Sequence, residues 1–319
     1  MIIDTVPDLA AIRNAAGRIS CWGHRTPVLT CESLDRMTRA QQLFFKCENF
    51  QKTGAFKFRG ATNAVFSLPE ESAMRGVATH SSGNHAQALA LAARNRGIDA
   101  YVVMPSNSAA PKKAAVAEYG ARIIECEPTL EARELTLEKV VNRTGATFIH
   151  PYDDYHIIAG QATAAMEFLE EVRDLDVLIA PVGGGGLLSG TALAAHYLSG
   201  QARVIASEPR GADDAYQSLE QGRIIPSINP CTIADGLLTS LGKLNFRIIQ
   251  EFVERIVRVT EEGIVQAMRA VWERMKMIIE PSAAVPLAAL LEQAVDLEGM
   301  RVGIIVSGGN VDLEQLPWM

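Results

Sequence analysis

Basic residues, cysteines, aromatics and long apolar runs are all scarce in this chain, and each shortage closes a route. Thirty Lys and Arg stand against 37 Asp and Glu, a formal net charge of −7. A nucleic acid or an anionic membrane surface is therefore not the expected partner. No apolar run is long and uninterrupted enough to span a bilayer. The opening Met1-Ile2-Ile3-Asp4 shows no basic region ahead of an apolar stretch, so no secretory signal is read there. The five cysteines (Cys21, Cys31, Cys47, Cys126 and Cys231) are odd in number and scattered. That argues against a disulfide framework and against structural zinc, and makes a reducing cytoplasm the simplest home. The six histidines (His24, His80, His85, His150, His156, His196) show no zinc-ligand spacing, and His85 and His156 read as structural. No internal repeat, low-complexity tract or long linker marks a domain boundary.

What is present is alternation. The 319 residues are nearly half apolar, with few aromatics, as in a soluble α/β enzyme. Apolar stretches at 26–29, 42–46, 76–80, 99–104, 121–126, 146–150, 177–181, 202–208 and 302–307 read as strands. Helical stretches at 8–17, 56–66, 86–93, 111–119, 129–144, 159–172, 187–197, 264–275 and 283–294 fall around them. Strands alternating with helices predict parallel sheets covered on both faces. Ligands in such folds lie at the carboxyl ends of the strands.

Several junctions of this kind hold residues able to do chemistry. Thr53-Gly54-Ala55-Phe56-Lys57-Phe58-Arg59-Gly60-Ala61 sets one lysine among small and apolar neighbours. A lysine at a helix start is most often a surface residue. Held in an apolar pocket, however, its ammonium loses hydration and its pKa falls toward neutrality. A neutral amine can attack a carbonyl and form a Schiff base. Phe56 could pack against a flat ring. Gly183-Gly184-Gly185-Gly186 follows the apolar strand 177–182 and precedes a helix. Consecutive free N–H groups there form an anion nest, and four glycines carry too much backbone entropy for a plain turn. The spacing is neither a nucleotide P-loop nor a dinucleotide fingerprint. An amine nucleophile plus a phosphate cradle points to pyridoxal 5'-phosphate, an aldehyde that carries a phosphate.

Other junctions leave two readings open. Ser81-Ser82-Gly83-Asn84-His85 is either an N-capping turn or a site for a substrate carboxylate and a cofactor hydroxyl. Ser307-Gly308-Gly309-Asn310 is either a tight turn or the source of one hydrogen bond to a ring nitrogen. Glu208-Pro209-Arg210-Gly211-Ala212-Asp213-Asp214 is either an ordinary acidic loop or a set of oxygens for a hard divalent cation.

Taken in order along nearly the whole chain, these motifs resemble the fold-type II pyridoxal-phosphate enzymes. The match is nearest to the serine racemase and serine/threonine dehydratase group, which includes the 3-hydroxyaspartate dehydratases. The resemblance implies an α/β fold of two parallel-type open twisted sheets flanked by helices. A large cofactor-binding domain (1–65 and 147–319) would hold a small mobile substrate domain (66–146) as an insert. It implies that Lys57 carries the cofactor, that Phe56 packs beside the pyridine ring and that Asn84 bonds the 3'-hydroxyl. Gly183, Gly184, Gly185 and Gly186, with the Leu187 N–H, would hold the phosphate, and Ser307 would face the ring nitrogen. Ser81, Ser82 and Asn84 would meet the substrate carboxylate, helped by Arg133 on closure. Thr239 sits where racemases often carry a serine near the substrate. Glu208, the Ala212 carbonyl and Asp214 match the family's cation site, for Mg2+ or for Ca2+ or Mn2+. A homodimer is expected, and a nucleotide effector is known in the racemase group. Met319 follows soon after the last strand, so no C-terminal regulatory domain is expected.

The implied chemistry is removal of a Cα proton by Lys57. A serine at the ring nitrogen does not keep it protonated, which weakens the electron sink and suits prompt loss of a β-hydroxyl. The expected outcome is dehydration of a small hydroxy amino acid such as serine, threonine or 3-hydroxyaspartate to a 2-oxo acid plus ammonia. Ser82 stands where the plain threonine dehydratases tend to carry alanine. Its hydroxyl would return a proton from the opposite face and so racemise serine. A dedicated 3-hydroxyaspartate dehydratase is the alternative within enzymes. A non-catalytic amino-acid or nucleotide sensor is the alternative outside them, against which the intact Lys57 counts.

Overall fold

Apolar strands separated by helices build two open sheets. The computed structural model describes residues 5–319, so Met1–Asp4, read above for a secretory signal, lies outside the described residues. The strands are β1 Val28–Thr30, β2 Gln42–Cys47, β3 Val77–His80, β4 Ala100–Pro105, β5 Arg122–Cys126, β6 Thr147–Phe148, β7 Val177–Pro181, β8 Arg203–Pro209, β9 Arg255–Val259 and β10 Arg301–Val306. Six of them form one sheet in the order β1-β2-β10-β7-β8-β9, and four form a second in the order β5-β4-β3-β6. Every pairing is parallel except the edge pair β1–β2.

β7 and nearly all of β10 are buried, as expected where helices cover both faces. One face packs on helices Tyr155–Glu171 and Gly186–Leu198, the other on Glu261–Met275 and Pro281–Leu291. The two cores meet only through the sheet. Among the described residues no helix is long and apolar enough to cross a membrane.

Local chemistry fixes the element ends. Thr129, read as helical, is instead the cap of Leu130–Thr144, accepting the Ala132 N–H at 3.1 Å. β1 starts later than the apolar run, because the buried Thr26 hydroxyl is committed to the Glu48 carboxylate at 2.6 Å. The result that matters for function is alignment. β3, β7, β8 and β10 each end at one of the polar or glycine loops singled out above.

Candidate active site

The lysine turn is welded to the end of β10. Ala55 bridges Gly308, the Phe56 N–H donates to the Ser307 carbonyl at 3.0 Å and the Gly309 N–H donates to the Gly54 carbonyl at 2.9 Å. Helix Lys57–Ser67 starts at that weld. Arg59, one turn in, is fully buried between Glu48 and Glu167, which Lys46 also reaches at 2.8 Å. Removing one partner of such a buried ionic cluster costs about 3–5 kcal/mol. Sequence reading saw Arg59 only as part of a motif; it anchors the helix that presents Lys57.

Lys57 is half-buried, and its amine donates to the Pro151 carbonyl at 2.8 Å. Loss of hydration lowers its pKa to about 8, against a raising influence from Glu280. A fraction of the amine is thus neutral near physiological pH, as a nucleophile or base requires. The Phe56 ring centroid lies 5.2 Å from this nitrogen and the Tyr152 centroid 5.9 Å.

Opposite stands the glycine nest, where β7 gives way to helix Gly186–Leu198. Gly185 has φ +95, a conformation that favours glycine, and its pro-side-chain direction points at Asn245 and Leu241. A Cβ on Gly184 would enter the Tyr152 ring. The helix opens without a side-chain cap, so its first N–H groups remain for an anion.

The serine loop reaches the same place from the other sheet. Asn84 donates to both carboxylate oxygens of Glu280 at 3.0 Å and accepts from Asn310 at 2.8 Å. Glu280 is 3 % exposed and pushed up to about 7, chiefly by desolvation. It touches Asn84, influences Lys57 and lies beside Gly308, whose added Cβ would sit 2.7 Å from its oxygen. Sequence reading missed this residue. The stretch Ile279-Glu280-Pro281 offered one signal, a carboxylate at the end of an apolar run and just before a helix.

Ser81 and Ser82 are half-buried in that loop, and Ser307 is buried at the end of β10. Tyr152 is also unread from sequence; burial raises its phenol pKa, and the nearby Thr239 side chain opposes that rise. Arg133 is not among the groups in contact with the serine loop; its Nε donates to the Thr129 carbonyl at 3.4 Å. Its charge helps lower the pKa of His80, the residue before Ser81, after desolvation has done most of it.

Glu208 and Asp214 come together behind the nest. Glu208 accepts the Ala215 and Tyr216 N–H groups at 3.1 and 2.9 Å, and burial with the nearby Asp214 charge pushes its pKa well up. Asp214 is raised to about 6, mostly by burial; its Oδ2 accepts the Leu241 N–H at 3.1 Å while Oδ1 is buried without a partner. Among the described residues no group of three or more His, Cys, Asp or Glu gathers to hold a metal. Two carboxylates and the Ala212 carbonyl are what this loop can offer.

The family model for "Pyridoxal-phosphate dependent enzyme" matches residues 19–308. The chain belongs to this family. It is 50% identical to the beta-hydroxyaspartate dehydratase of Paracoccus denitrificans (strain Pd 1222), over 100% of both chains. The crystal structure of serine racemase from Dictyostelium discoideum superposes with a TM-score of 0.92 at 50% identity, covering 96% of this chain and 99% of that one. The crystal structure of the T.th. threonine deaminase superposes with a TM-score of 0.91 at 42% identity, covering 96% and 99%. The two-sheet α/β fold is the family's, and pyridoxal phosphate is its cofactor. The residues present fit it: a nest that only glycines can form, an amine with a depressed pKa and an aromatic ring beside that amine.

Proposed function

We propose that the protein is a pyridoxal-phosphate-dependent ammonia-lyase that dehydrates a small hydroxy amino acid to a 2-oxo acid plus ammonia and also racemises serine. The observation that carries this reading is the Lys57 amine, set to about 8 and flanked by the glycine nest and by the serine loop that Asn84 ties to Glu280. Bound pyridoxal phosphate supplies an electrophilic aldehyde and a conjugated ring that draws electron density from the substrate α-carbon.

The chain's own residues do the rest. Gly183, Gly184, Gly185, Gly186 and the Leu187 N–H would hold the phosphate. Phe56 would support the ring, Asn84 would bond its hydroxyl, and Ser307 would offer its nitrogen a hydroxyl rather than a carboxylate. Ser81, Ser82 and Asn84 hold the substrate carboxylate, with Arg133 joining when the four-stranded unit closes and Thr239 lining the far side. Lys57 takes the α-proton. Ser82 returns one from the opposite face when the product is the other enantiomer. We place the mobile substrate unit at 66–146 and the cofactor unit at 1–65 and 147–319, with β6 at the junction pairing back onto β3. Closure of one on the other excludes water.

Glu208, the Ala212 carbonyl and Asp214 would hold Mg2+, or Ca2+ or Mn2+; the orphaned Asp214 Oδ1 and the two raised carboxylates are what a cation would satisfy. A cytoplasmic homodimer, with a nucleotide as effector, completes the proposal. A second reading, a dedicated 3-hydroxyaspartate dehydratase, is favoured by the 50% identity to the Paracoccus protein.

Ammonia release from L-serine, L-threonine and the 3-hydroxyaspartate isomers separates the two. Lys57→Ala should lower turnover by about 1,000-fold or more and remove the pyridoxyl adduct that borohydride leaves at position 57. Ser82→Ala should lose racemisation selectively. Interconversion of serine enantiomers at the original rate would refute that role.

A further inference from the structure

The five residues His150–Asp154 leave β6 and enter helix Tyr155–Glu171, and each is tied to a different part of the cleft. Asp154 caps that helix through the His156 and Ile157 N–H groups. Asp153 caps another, Lys243–Phe252, accepting the Lys243 and Leu244 N–H groups at 3.0 and 2.8 Å. Tyr152 lays its ring on Gly184. Pro151 gives its carbonyl to the Lys57 amine at 2.8 Å. His150 begins the turn, and its Nδ1 accepts two backbone N–H groups, from Tyr152 at 3.2 Å and from Asp153 at 2.8 Å.

Both partners of Nδ1 are donors, so Nδ1 must be the unprotonated nitrogen and Nε2 carries the hydrogen. The ring is also clamped edge-on by Phe148 and Tyr152, at centroid distances of 5.6 and 4.6 Å. The imidazole does here what an asparagine side chain does in an Asx turn: it holds the N–H groups two and three residues on. The Tyr152 N–H shares one planar trans peptide with the Pro151 carbonyl and points the opposite way. With that N–H held by Nδ1, and the next one with it, the direction of the Pro151 carbonyl is fixed too.

We propose that His150 is a positioning residue: by capping the turn it opens, it aims the Pro151 carbonyl at the Lys57 amine and so sets that amine's resting place. The proposal deepens, and rests on, the reading of Lys57 as the cofactor-bearing lysine. The device has to stay uncharged, since an imidazolium would set an N–H against two others. The charged and titratable groups around His150 are Asp153, His80 and Lys57, and burial outweighs them all, pulling its pKa down to about 4. Lys57 in turn faces Glu280, with His85 and His150 nearby, both held neutral by burial.

The test reads Lys57 directly, on apoprotein. Competitive acetylation across neutral and alkaline pH, followed by peptide mass spectrometry, gives the titration midpoint of its amine. A carbonyl that accepts from the ammonium favours the charged form. Freeing that carbonyl with His150→Ala or His150→Gln should therefore lower the midpoint below about 8, by about one pH unit. His150→Asn, whose oxygen can take over from Nδ1, should leave the midpoint where it is. Wild-type midpoints in the Ala and Gln variants would overturn the proposal, and so would an Asn variant that behaves like Ala. If the Ala variant does not fold, the Asn and Gln pair carries the comparison alone. Borohydride treatment of the wild-type holoprotein is the separate control. No pyridoxyl adduct at position 57 sinks the cofactor reading, whereas the apoprotein midpoints judge His150 on their own.

Discussion

Two glycine-bearing loops face each other in this protein, and they are built to opposite standards. The nest at 183–186 ends a strand buried at every position and is hemmed in by Tyr152, Leu237, Asn245 and Leu241. The serine loop at 81–84 is half-buried throughout, and a Cβ on Gly83 would meet nothing within 4 Å. The same contrast holds for the sheets behind them. β7 and β10 lie between two continuous apolar cores, whereas β5 has no buried residue and its sheet rests on smaller clusters. A cofactor held permanently needs an unyielding cradle. A substrate that enters and leaves needs a wall that can give, and low local burial is where such motion is found.

The sharpest break of this comparison is one methyl group placed in each loop. Gly184→Ala drives a Cβ into the Tyr152 ring, and overpacking of that kind costs about 1–3 kcal/mol. Pyridoxal phosphate should then bind about 10- to 100-fold more weakly in equilibrium dialysis. Gly83→Ala, with open space around it, should leave cofactor affinity within about threefold and alter only substrate KM. Equal losses from the two changes would show the loops to be alike.

Next in size is Glu280, which joins the serine loop to the glycines at the end of β10. Its folded pKa of about 7 lies above the ordinary value of 4.5, so the folded apoprotein binds more protons than the unfolded chain between those values. Stability from this group is therefore present at the acid end and lost as pH rises through about 7. Glu280→Gln should flatten that part of the pH–stability curve in urea unfolding, by an amount on the order of 1–3 kcal/mol. An unchanged curve would mean the carboxylate is not strained by burial.

These two residues also mark where sequence reasoning runs out. The glycine turn after β7 was legible because four consecutive glycines have few explanations, and the lowered pKa of Lys57 because its neighbours are small and apolar. The strand-helix alternation gave the sheets for the same reason, that burial on both faces leaves continuous apolar runs. Glu280 and Tyr152 were not legible: a lone carboxylate or phenol has no periodicity, and each matters only through partners far along the chain, Asn84 and Gly184 among them. Strand β9 and helix Lys243–Phe252 also went unread. β9 pairs with one neighbour at the sheet edge and keeps only Ile256 and Val259 buried, too short a pattern to stand out.

A smaller effect tests the proposal that the Glu208–Asp214 loop takes a cation. A cation bound there would compete with protons for Asp214, whose pKa is raised to about 6. Excess Mg2+ should therefore raise the melting temperature of the apoprotein by about 2–4 °C well above that pH, and by less below it. Asp214→Asn should abolish the dependence. A Mg2+ effect that persists in that variant would place the cation elsewhere.

The smallest effect belongs to an ion pair that spans the proposed units. Lys112, on helix Ala110–Glu118 of the four-stranded side, meets Asp235 beside the six-stranded side at 2.7 Å, with both side chains roughly half exposed. Exposed pairs contribute about 0–1 kcal/mol and are screened by salt. If the yielding wall closes on the rigid one, this pair favours the closed form by no more than that. Lys112→Met should raise KM by about two- to fivefold and leave kcat unchanged, since the pair touches no reacting atom. Added salt should raise the wild-type KM toward that of the variant and move the variant little. A salt response that survives in Lys112→Met would assign it to the substrate's own charge, and the contrast between walls would then rest on packing alone.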